Sequence, residues 1–125
     1  MHSATKMITI YGLKNCDTCQ KAQKWLQTEC IEYQFKDMRQ TAALSMEKIA
    51  SWVLLVGWEA LINRRSTTWR TLKDKEKQNL DGANFLGLVK AHPALIKRPV
   101  FEVEKSILVG FEVDVCNTLK GSKND

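Results

Sequence analysis

The sequence predicts a single α/β domain of 125 residues. Strand-like apolar runs occupy both ends of the chain, and a stretch of about fifty residues with helical periodicity lies between them. A hydrophobic share of 44% and a charged share of 26% are typical of globular proteins and argue against a disordered chain. A chain of this length can bury a core without disulfide bonds.

The first third of the chain predicts a strand, a helix and a second strand. Residues 7–11 form an apolar run, and from Asp17 to about Thr28 apolar residues recur with helical spacing. Asp17 or Thr18 is expected to cap this helix. Residues 31–36 alternate between apolar and polar side chains, as in a strand with one covered face. Two strands joined by a crossover helix predict a βαβ unit with parallel pairing.

The middle of the chain, residues 41–92, is predicted to be a helical insertion. The expected helices cover residues 45–57, 58–62, 69–77 and 81–91. Ser45 and Asp81 are expected to cap the first and the last of them. A His-Pro pair ends the last helix, because the residue before a proline is disfavoured in helical conformation. The β-branched residues within 53–56 leave a short strand as the alternative there.

The last third of the chain returns to strands. Residues 100–103 and 107–109 are apolar runs separated by three turn residues, which predicts a β-hairpin. Residues 112–119 are expected to form a short closing helix.

The order of these elements predicts the fold. With the helical insertion set aside, βαβ followed by ββα is the minimal thioredoxin-like arrangement. The core of this arrangement is expected at about residues 7–40 and 93–119, and residues 120–125 are expected to be a disordered tail.

Composition and charge indicate in which cellular compartment the protein acts and which classes of partner it binds. The N-terminus has no apolar signal segment, and the longest apolar stretch, residues 52–56, is too short to span a bilayer. We therefore expect a cytoplasmic protein with no membrane partner, whose four cysteines stay reduced. The net charge of +5 is spread among mixed acidic and basic residues, and such a slight basic excess suits a small anionic substrate as well as it suits nucleic acid. No direct nucleic-acid partner is expected.

A pair of cysteines, Cys16 and Cys19, lies between the first strand and the first helix. At a helix start, unpaired N–H groups and the positive end of the helix dipole favour a thiolate, so Cys16 is the expected nucleophile. Lys14 is close enough in sequence to lower the pKa of Cys16 further, although a solvated lysine is the commoner case. Cys19 lies three residues on, where it could resolve a mixed disulfide on Cys16 or simply be a small buried hydrophobe.

Zinc is the alternative ligand for such a pair. A structural zinc site needs two further ligands, and the remaining candidates form no second pair. They are His2, Cys30, His92 and Cys116. No metal is therefore expected, and Cys30 and Cys116 are interpreted as packing residues.

Two later stretches combine features of anion-binding sites. Arg98 and Pro99 precede the third strand, and a cis proline there would fix the loop beside the cysteine. An ordinary strand-edge proline is the alternative, which the rarity of cis X-Pro bonds favours before the fold is considered. If Arg98 points at Cys16, its guanidinium offers a planar fork to an oxyanion or a carboxylate. Residues 64–70 combine basic and hydroxyl groups that could bind an anion, but composition favours a solvated connection with Trp69 in the core.

Several short stretches along the chain carry a family resemblance. They are YGLKNCDT (residues 11–18), KA (21–22), RSTTWR (65–70), HP (92–93), IKRPV (96–100) and VGF (109–111). In this order and spacing they resemble the arsenate reductase (ArsC) family, and within it the YffB-like branch. The resemblance extends from Met7 to about Leu119 and implies a thioredoxin-like fold with an inserted helical block.

The resemblance also implies a site and a co-substrate. It makes Cys16 the nucleophile, Arg98 the arginine that precedes a cis Pro99, and glutathione or a related thiol the co-substrate, with no bound cofactor. The residues then expected to contact glutathione or the substrate are Lys14, Asn15, Asp17, Thr18, Arg65 and Pro99. Similarity to the YffB-like branch favours a glutathione-dependent thiol reductase acting on a small disulfide or an oxyanion.

Two other functions stay open at this point. Arsenate reductases of the glutathione type have two further arginines around the oxyanion. Asn63 falls nearest one of them, with Arg64 and Arg65 beside it, and the region near Gly110 supplies none for the other. Reduction of arsenate to arsenite is the first alternative. The second is an Spx-like redox-sensing transcription regulator, which carries a CxxC switch similar to the pair in this chain and binds the RNA polymerase α subunit.

Overall fold

The computed structural model describes residues 8–38, 45–78, 80, 83–104 and 106–123. The chain divides into two compact units, one formed by Met1–Met38 with Arg98–Asp125 and the other by Arg39–Lys97. We call them the sheet unit and the helical unit, because the first holds the β-sheet and the second holds helices. Among the described residues, no helix is both long and apolar enough to cross a membrane.

The elements follow the predicted order. The strands are β1 (Ile8–Gly12), β2 (Gln34–Asp37), β3 (Val100–Val103) and β4 (Ser106–Val109). The helices are α1 (Asp17–Thr28), α2 (Met46–Val56), α3 (Trp58–Leu61), α4 (Thr67–Thr71), α5 (Ala83–Ala91) and α6 (Val113–Lys123), with a 3₁₀ turn at Pro93–Leu95. The sheet unit contains all of these strands together with α1 and α6.

The strands form one four-stranded mixed sheet in the order β2-β1-β3-β4. β1 pairs in parallel with β2, as predicted for the βαβ unit, and antiparallel with β3. β3 and β4 form the predicted hairpin, but Ser106 already pairs with Val103, so the turn is shorter than expected. The sheet and the order of its elements confirm the thioredoxin-like fold class.

The core of the sheet unit lies on the face of the sheet that α1 and α6 cover. Ile10 and Phe101 are partners across β1 and β3, and both are fully buried. Leu26 of α1 and Leu119 of α6 belong to the same buried cluster. Each such side chain contributes about 1.5–3 kcal/mol through its burial, so this cluster holds the helices against the sheet.

The second strand begins later than its alternating pattern predicted. Ile31 is buried in the core cluster, but its N–H donates to the C=O of Leu26 at 2.9 Å and does not join the sheet. The ladder with β1 starts at Gln34. The apolar–polar alternation of residues 31–36 therefore reflects the burial of side chains. It extends over more residues than the hydrogen-bonded strand does.

Two predictions about helix ends in the sheet unit are wrong. The N-cap of α1 is Cys16, whose backbone is extended, and Asp17 is already the first helical residue. At the other end, residues 120–123 continue α6 and are not a disordered tail. Lys120 lies 3.9 Å from the carboxylate of Glu29, and the neighbouring Leu119 is fully buried, so this end of the helix is attached to the core.

The helical unit confirms the predicted start and end of α2. The hydroxyl of Ser45 accepts a hydrogen bond from the N–H of Lys48 at 3.1 Å, which caps the helix. Gly57 follows the helix with φ of +85°, a conformation that favours glycine. The alternative of a short strand at 53–56 is wrong, since Val56 is the last residue of the helix.

The helix expected at residues 69–77 is instead the short α4. Ser66 caps α4 by accepting a hydrogen bond from the N–H of Trp69 at 3.1 Å. Leu72 then turns to an extended conformation and is buried, so the chain leaves the helix to place an apolar side chain. Asp81, the predicted N-cap of α5, lies outside the described residues.

Candidate active site

Cys16 stands at the junction of β1 and α1. Its N–H donates to the C=O of Leu13 at 3.3 Å, which closes the turn after the strand, and its C=O accepts from the N–H of Gln20 at 2.9 Å. With φ of −93° and ψ of 121°, Cys16 is the N-cap of a helix of 12 residues. The unpaired N–H groups of the first helical turn therefore lie beside its sulfur.

Several contacts favour the thiolate form of Cys16. Partial burial is the largest single influence on the pKa of this thiol and raises it. The pKa is lowered by the backbone N–H and the thiol of Cys19 and by the guanidinium of Arg98, which also acts through its charge. Together these donors outweigh burial and hold the pKa of Cys16 below its ordinary value.

The pKa of Cys19 is shifted in the opposite direction from that of Cys16. Its side chain is 0% exposed on the buried face of α1. Burial, followed by the proximity of Cys16, raises the pKa of Cys19 to about 12. The Cys19 thiol therefore keeps its proton at neutral pH and donates it in a hydrogen bond to the sulfur of Cys16.

Arg98 reaches Cys16 from the start of β3. The register of the antiparallel ladder pairs Tyr11 with Val100, so the turn after β1 and the residues before β3 emerge at the same end of the sheet. The peptide bond between Arg98 and Pro99 is cis, as expected. The Nε of Arg98 is buried and has no hydrogen-bond partner within the described parts of the chain.

Gly12 is a site residue that the sequence analysis did not single out. A Cβ at this position would stand 2.5 Å from the Sγ of Cys19 and 3.3 Å from its Cβ. The signal was present in the sequence, because a glycine at the end of a strand often marks a close approach. The sequence pattern alone does not identify which residue contacts Gly12.

The other residues predicted to bind substrate fall in two places. Those around the cysteines, all exposed, are Lys14, Asn15, Asp17 and Thr18. Pro99 is buried beside Arg98 in the same unit. Arg65 is exposed in the helical unit, where its N–H donates to the side-chain oxygen of Asn63 at 3.1 Å. The binding roles of these residues stay predictions.

The remaining cysteines lie apart from these contacts. Cys30 is exposed, with φ of +56°, so its interpretation as a packing residue is wrong: α1 ends before it and the chain turns there. Cys116 is half-buried on α6, and burial raises its pKa. Within the described ranges, no group of three or more His, Cys, Asp or Glu side chains could hold a metal ion.

Comparison with known proteins places this site in a family context. The model of the ArsC family matches residues 11–119. An uncharacterized protein of Haemophilus influenzae is 42% identical over 105 residues, which cover 84% of this chain and 91% of that protein. The global transcriptional regulator Spx of Lactiplantibacillus plantarum is 32% identical over 110 residues, covering 86% of this chain and 82% of the regulator.

Solved structures agree with the sequence matches. A YffB protein superimposes with a TM-score of 0.80 at 37% identity, covering 90% of this chain and 97% of its own. An arsenate reductase (ArsC) related protein from Brucella melitensis gives a TM-score of 0.76 at 37% identity, covering 94% and 97% of the two chains. The resemblance inferred from the motifs is thereby confirmed.

Proposed function

Because the chain belongs to the ArsC family, we propose that it is a thiol-dependent oxidoreductase whose nucleophile is Cys16 and whose reductant is glutathione. The observation that carries this proposal is the arrangement around the Cys16 sulfur. That sulfur lies at the N-cap of α1 and accepts hydrogen bonds from Cys19 and Arg98. The lowered pKa of Cys16 raises the fraction of thiolate at neutral pH, and the thiolate is the form that attacks disulfides.

The first step of the proposed reaction forms a mixed disulfide. The Cys16 thiolate attacks one sulfur of a small disulfide RS–SR′, so that Cys16–S–S–R forms and R′S⁻ leaves and takes up a proton. The helix N–H groups and Arg98 stabilise the negative charge on the Cys16 sulfur before attack and again when it departs. The unpartnered Nε of Arg98 leaves the guanidinium with donor capacity for a carboxylate or oxyanion of the substrate.

Glutathione completes the cycle. One glutathione thiolate displaces RS⁻ and leaves glutathione attached to Cys16, and a second one attacks the attached glutathione sulfur. This attack releases the Cys16 thiolate and glutathione disulfide, so two glutathione molecules are oxidised for each disulfide reduced to two thiols. Cys19 offers a second route, in which its sulfur displaces RS⁻ and the Cys16–Cys19 disulfide is reduced afterwards by glutathione. The cytoplasm, where glutathione keeps thiols reduced, is the compartment that this proposal requires.

A coupled assay that follows glutathione oxidation tests the proposal. We expect turnover of 2-hydroxyethyl disulfide by the unaltered protein and background activity from Cys16→Ser. Cys30→Ser is the matched control, because Cys30 is exposed and lies outside the site; its activity should be unchanged. Arsenate is tested as an oxyanion substrate in the same assay. Turnover of arsenate faster than that of 2-hydroxyethyl disulfide would favour the arsenate reductase alternative. Absence of turnover with both substrates would refute the enzyme proposal.

A regulator that binds RNA polymerase is the second candidate function. It is supported by the identity of 32% with an Spx regulator and by the neighbouring Cys16 and Cys19 sulfurs. A pull-down with the C-terminal domain of the polymerase α subunit, under reducing and oxidising conditions, distinguishes the two candidates. Binding without catalytic turnover would replace the enzyme by the regulator.

A further inference from the structure

Gly12 occupies a position where space, and not backbone conformation, requires a glycine. It is the last residue of β1, its C=O accepts a hydrogen bond from the N–H of Met38 at 2.8 Å, and it is paired with Asp37 in the parallel ladder. The backbone there is not in the left-handed region that favours glycine. An alanine could adopt this backbone, so the constraint must come from the neighbouring atoms.

Those neighbouring atoms belong mainly to Cys19. The point where a Cβ on Gly12 would stand is 2.5 Å from the Sγ and 3.3 Å from the Cβ of Cys19, and 3.5 Å from Cε1 of Phe35. Real Cβ atoms essentially never approach another heavy atom within 3.0 Å. The sulfur of Cys19 therefore occupies the volume that a side chain at position 12 would fill.

We propose that Gly12 is a positioning residue for the thiol pair, because the missing side chain leaves the space that keeps the Cys19 thiol against the sulfur of Cys16. The proposal deepens the proposed function, since it rests on Cys16 as the reacting thiol. It assigns Gly12 no contact with a substrate. Gly12 acts only through Cys19.

Gly12→Ala is expected to displace the Cys19 sulfur. The sulfur is the end of a short side chain and moves by rotation about χ1, whereas the backbone of β1 is held in the ladder with β2 and β3. Rotation takes the thiol proton away from the Cys16 sulfur and removes one of the donors that favour the thiolate. Cys19→Ala removes the same donor without adding a methyl group at position 12.

The experiment measures the pH dependence of Cys16 alkylation by iodoacetamide, followed by mass spectrometry of the peptide that contains Cys16. We expect Gly12→Ala and Cys19→Ala each to raise the pKa of Cys16, and alkylation at pH values below that pKa to slow by about tenfold for each unit of the rise. The double variant Gly12→Ala/Cys19→Ala should alkylate like Cys19→Ala, because the two changes remove one and the same hydrogen bond.

Gly87→Ala is the matched control. A Cβ on Gly87 would meet no atom within 4 Å, so the same substitution should leave the alkylation profile of Cys16 unchanged. An unaltered pKa of Cys16 in Gly12→Ala, or additive effects of Gly12→Ala and Cys19→Ala, would overturn the proposal.

Folding of Gly12→Ala provides a second readout. If the single variant is unfolded, the proposal expects the double variant Gly12→Ala/Cys19→Ala to recover folding, because the crowding sulfur is gone. A double variant as unstable as the single one would contradict it. Alkylation needs neither glutathione nor a substrate, so these outcomes stay distinct from success or failure of the reductase assay.

Discussion

Arg98 donates a hydrogen bond to the sulfur of Cys16, although the whole helical unit lies between these two residues in the sequence. The two meet because β1 and β3 are neighbours in the sheet and run antiparallel. The turn that follows one strand therefore lies beside the residues that precede the other.

Arg98→Met is predicted to raise the pKa of Cys16, because it removes both a hydrogen bond to the thiolate and a nearby positive charge. Each unit of the rise lowers the thiolate fraction about tenfold at pH values below the pKa. Alkylation rates of Cys16 between about pH 5 and 9 and kcat/KM for the disulfide measure the effect. Arg70→Met is the control, since Arg70 is an exposed arginine of the helical unit. A pKa unchanged in Arg98→Met would remove Arg98 from the site.

Mild oxidation by glutathione disulfide is predicted to form a disulfide between Cys16 and Cys19: Cys16 first takes up one glutathione and releases the other, and Cys19 then displaces the attached glutathione. The thiol of Cys19 already hydrogen-bonds to the Cys16 sulfur, but its pKa of about 12 leaves few thiolates near neutral pH. Formation of this disulfide from a Cys16–glutathione adduct should therefore accelerate by up to about tenfold per pH unit above neutrality.

Mass spectrometry after an acid quench measures the relative amounts of the Cys16–Cys19 disulfide and the Cys16–glutathione adduct. Cys19→Ala should accumulate the glutathione adduct of Cys16 at every pH. If the unaltered protein also yields the adduct alone, Cys19 is a hydrogen-bond donor and packing residue, and the enzyme is monothiol.

The Cys19 thiol is predicted to make folding less stable at alkaline pH. The unfolded chain loses this proton near pH 8.5, whereas the folded protein keeps it until about pH 12. In this window the folded state binds more protons than the unfolded state, so the free energy of unfolding falls by up to about 1.4 kcal/mol per pH unit.

Urea unfolding at about pH 8 and about pH 10 tests this dependence. The stability advantage of the unaltered protein over Cys19→Ala should shrink as the pH rises. Cys30→Ala, which removes an exposed thiol, should keep the slope of the unaltered protein. Parallel curves for the unaltered protein and Cys19→Ala would contradict the prediction.

The sequence predicted those parts of the site that depend on local pattern. Cys16 at a helix start and Arg98 before a cis Pro99 follow from short motifs, and the parallel pairing of β1 and β2 follows from the strand–helix–strand order. The contact of Gly12 with Cys19 was not predictable in this way. It depends on the angle at which α1 packs against β1, which is set by the whole core.

The errors at helix ends have the same origin. Propensity favoured a helix through residues 69–77, but burial of Leu72 takes the chain out of helical conformation. The end of α6 is held by the burial of Leu119 and by the ion pair of Lys120 with Glu29, a residue distant in sequence. Local composition carries no information about either contact, because tertiary packing overrides weak propensities.

The pairing of Tyr11 with Val100 in the ladder of β1 and β3 fixes the distance between the thiol of Cys16 and the guanidinium of Arg98. The length of chain between the two residues does not. Insertions, deletions or recombination within residues 39–97 change neither strand and leave this register intact. The reactive thiol and the cation beside it are therefore brought together by contacts within the sheet unit alone.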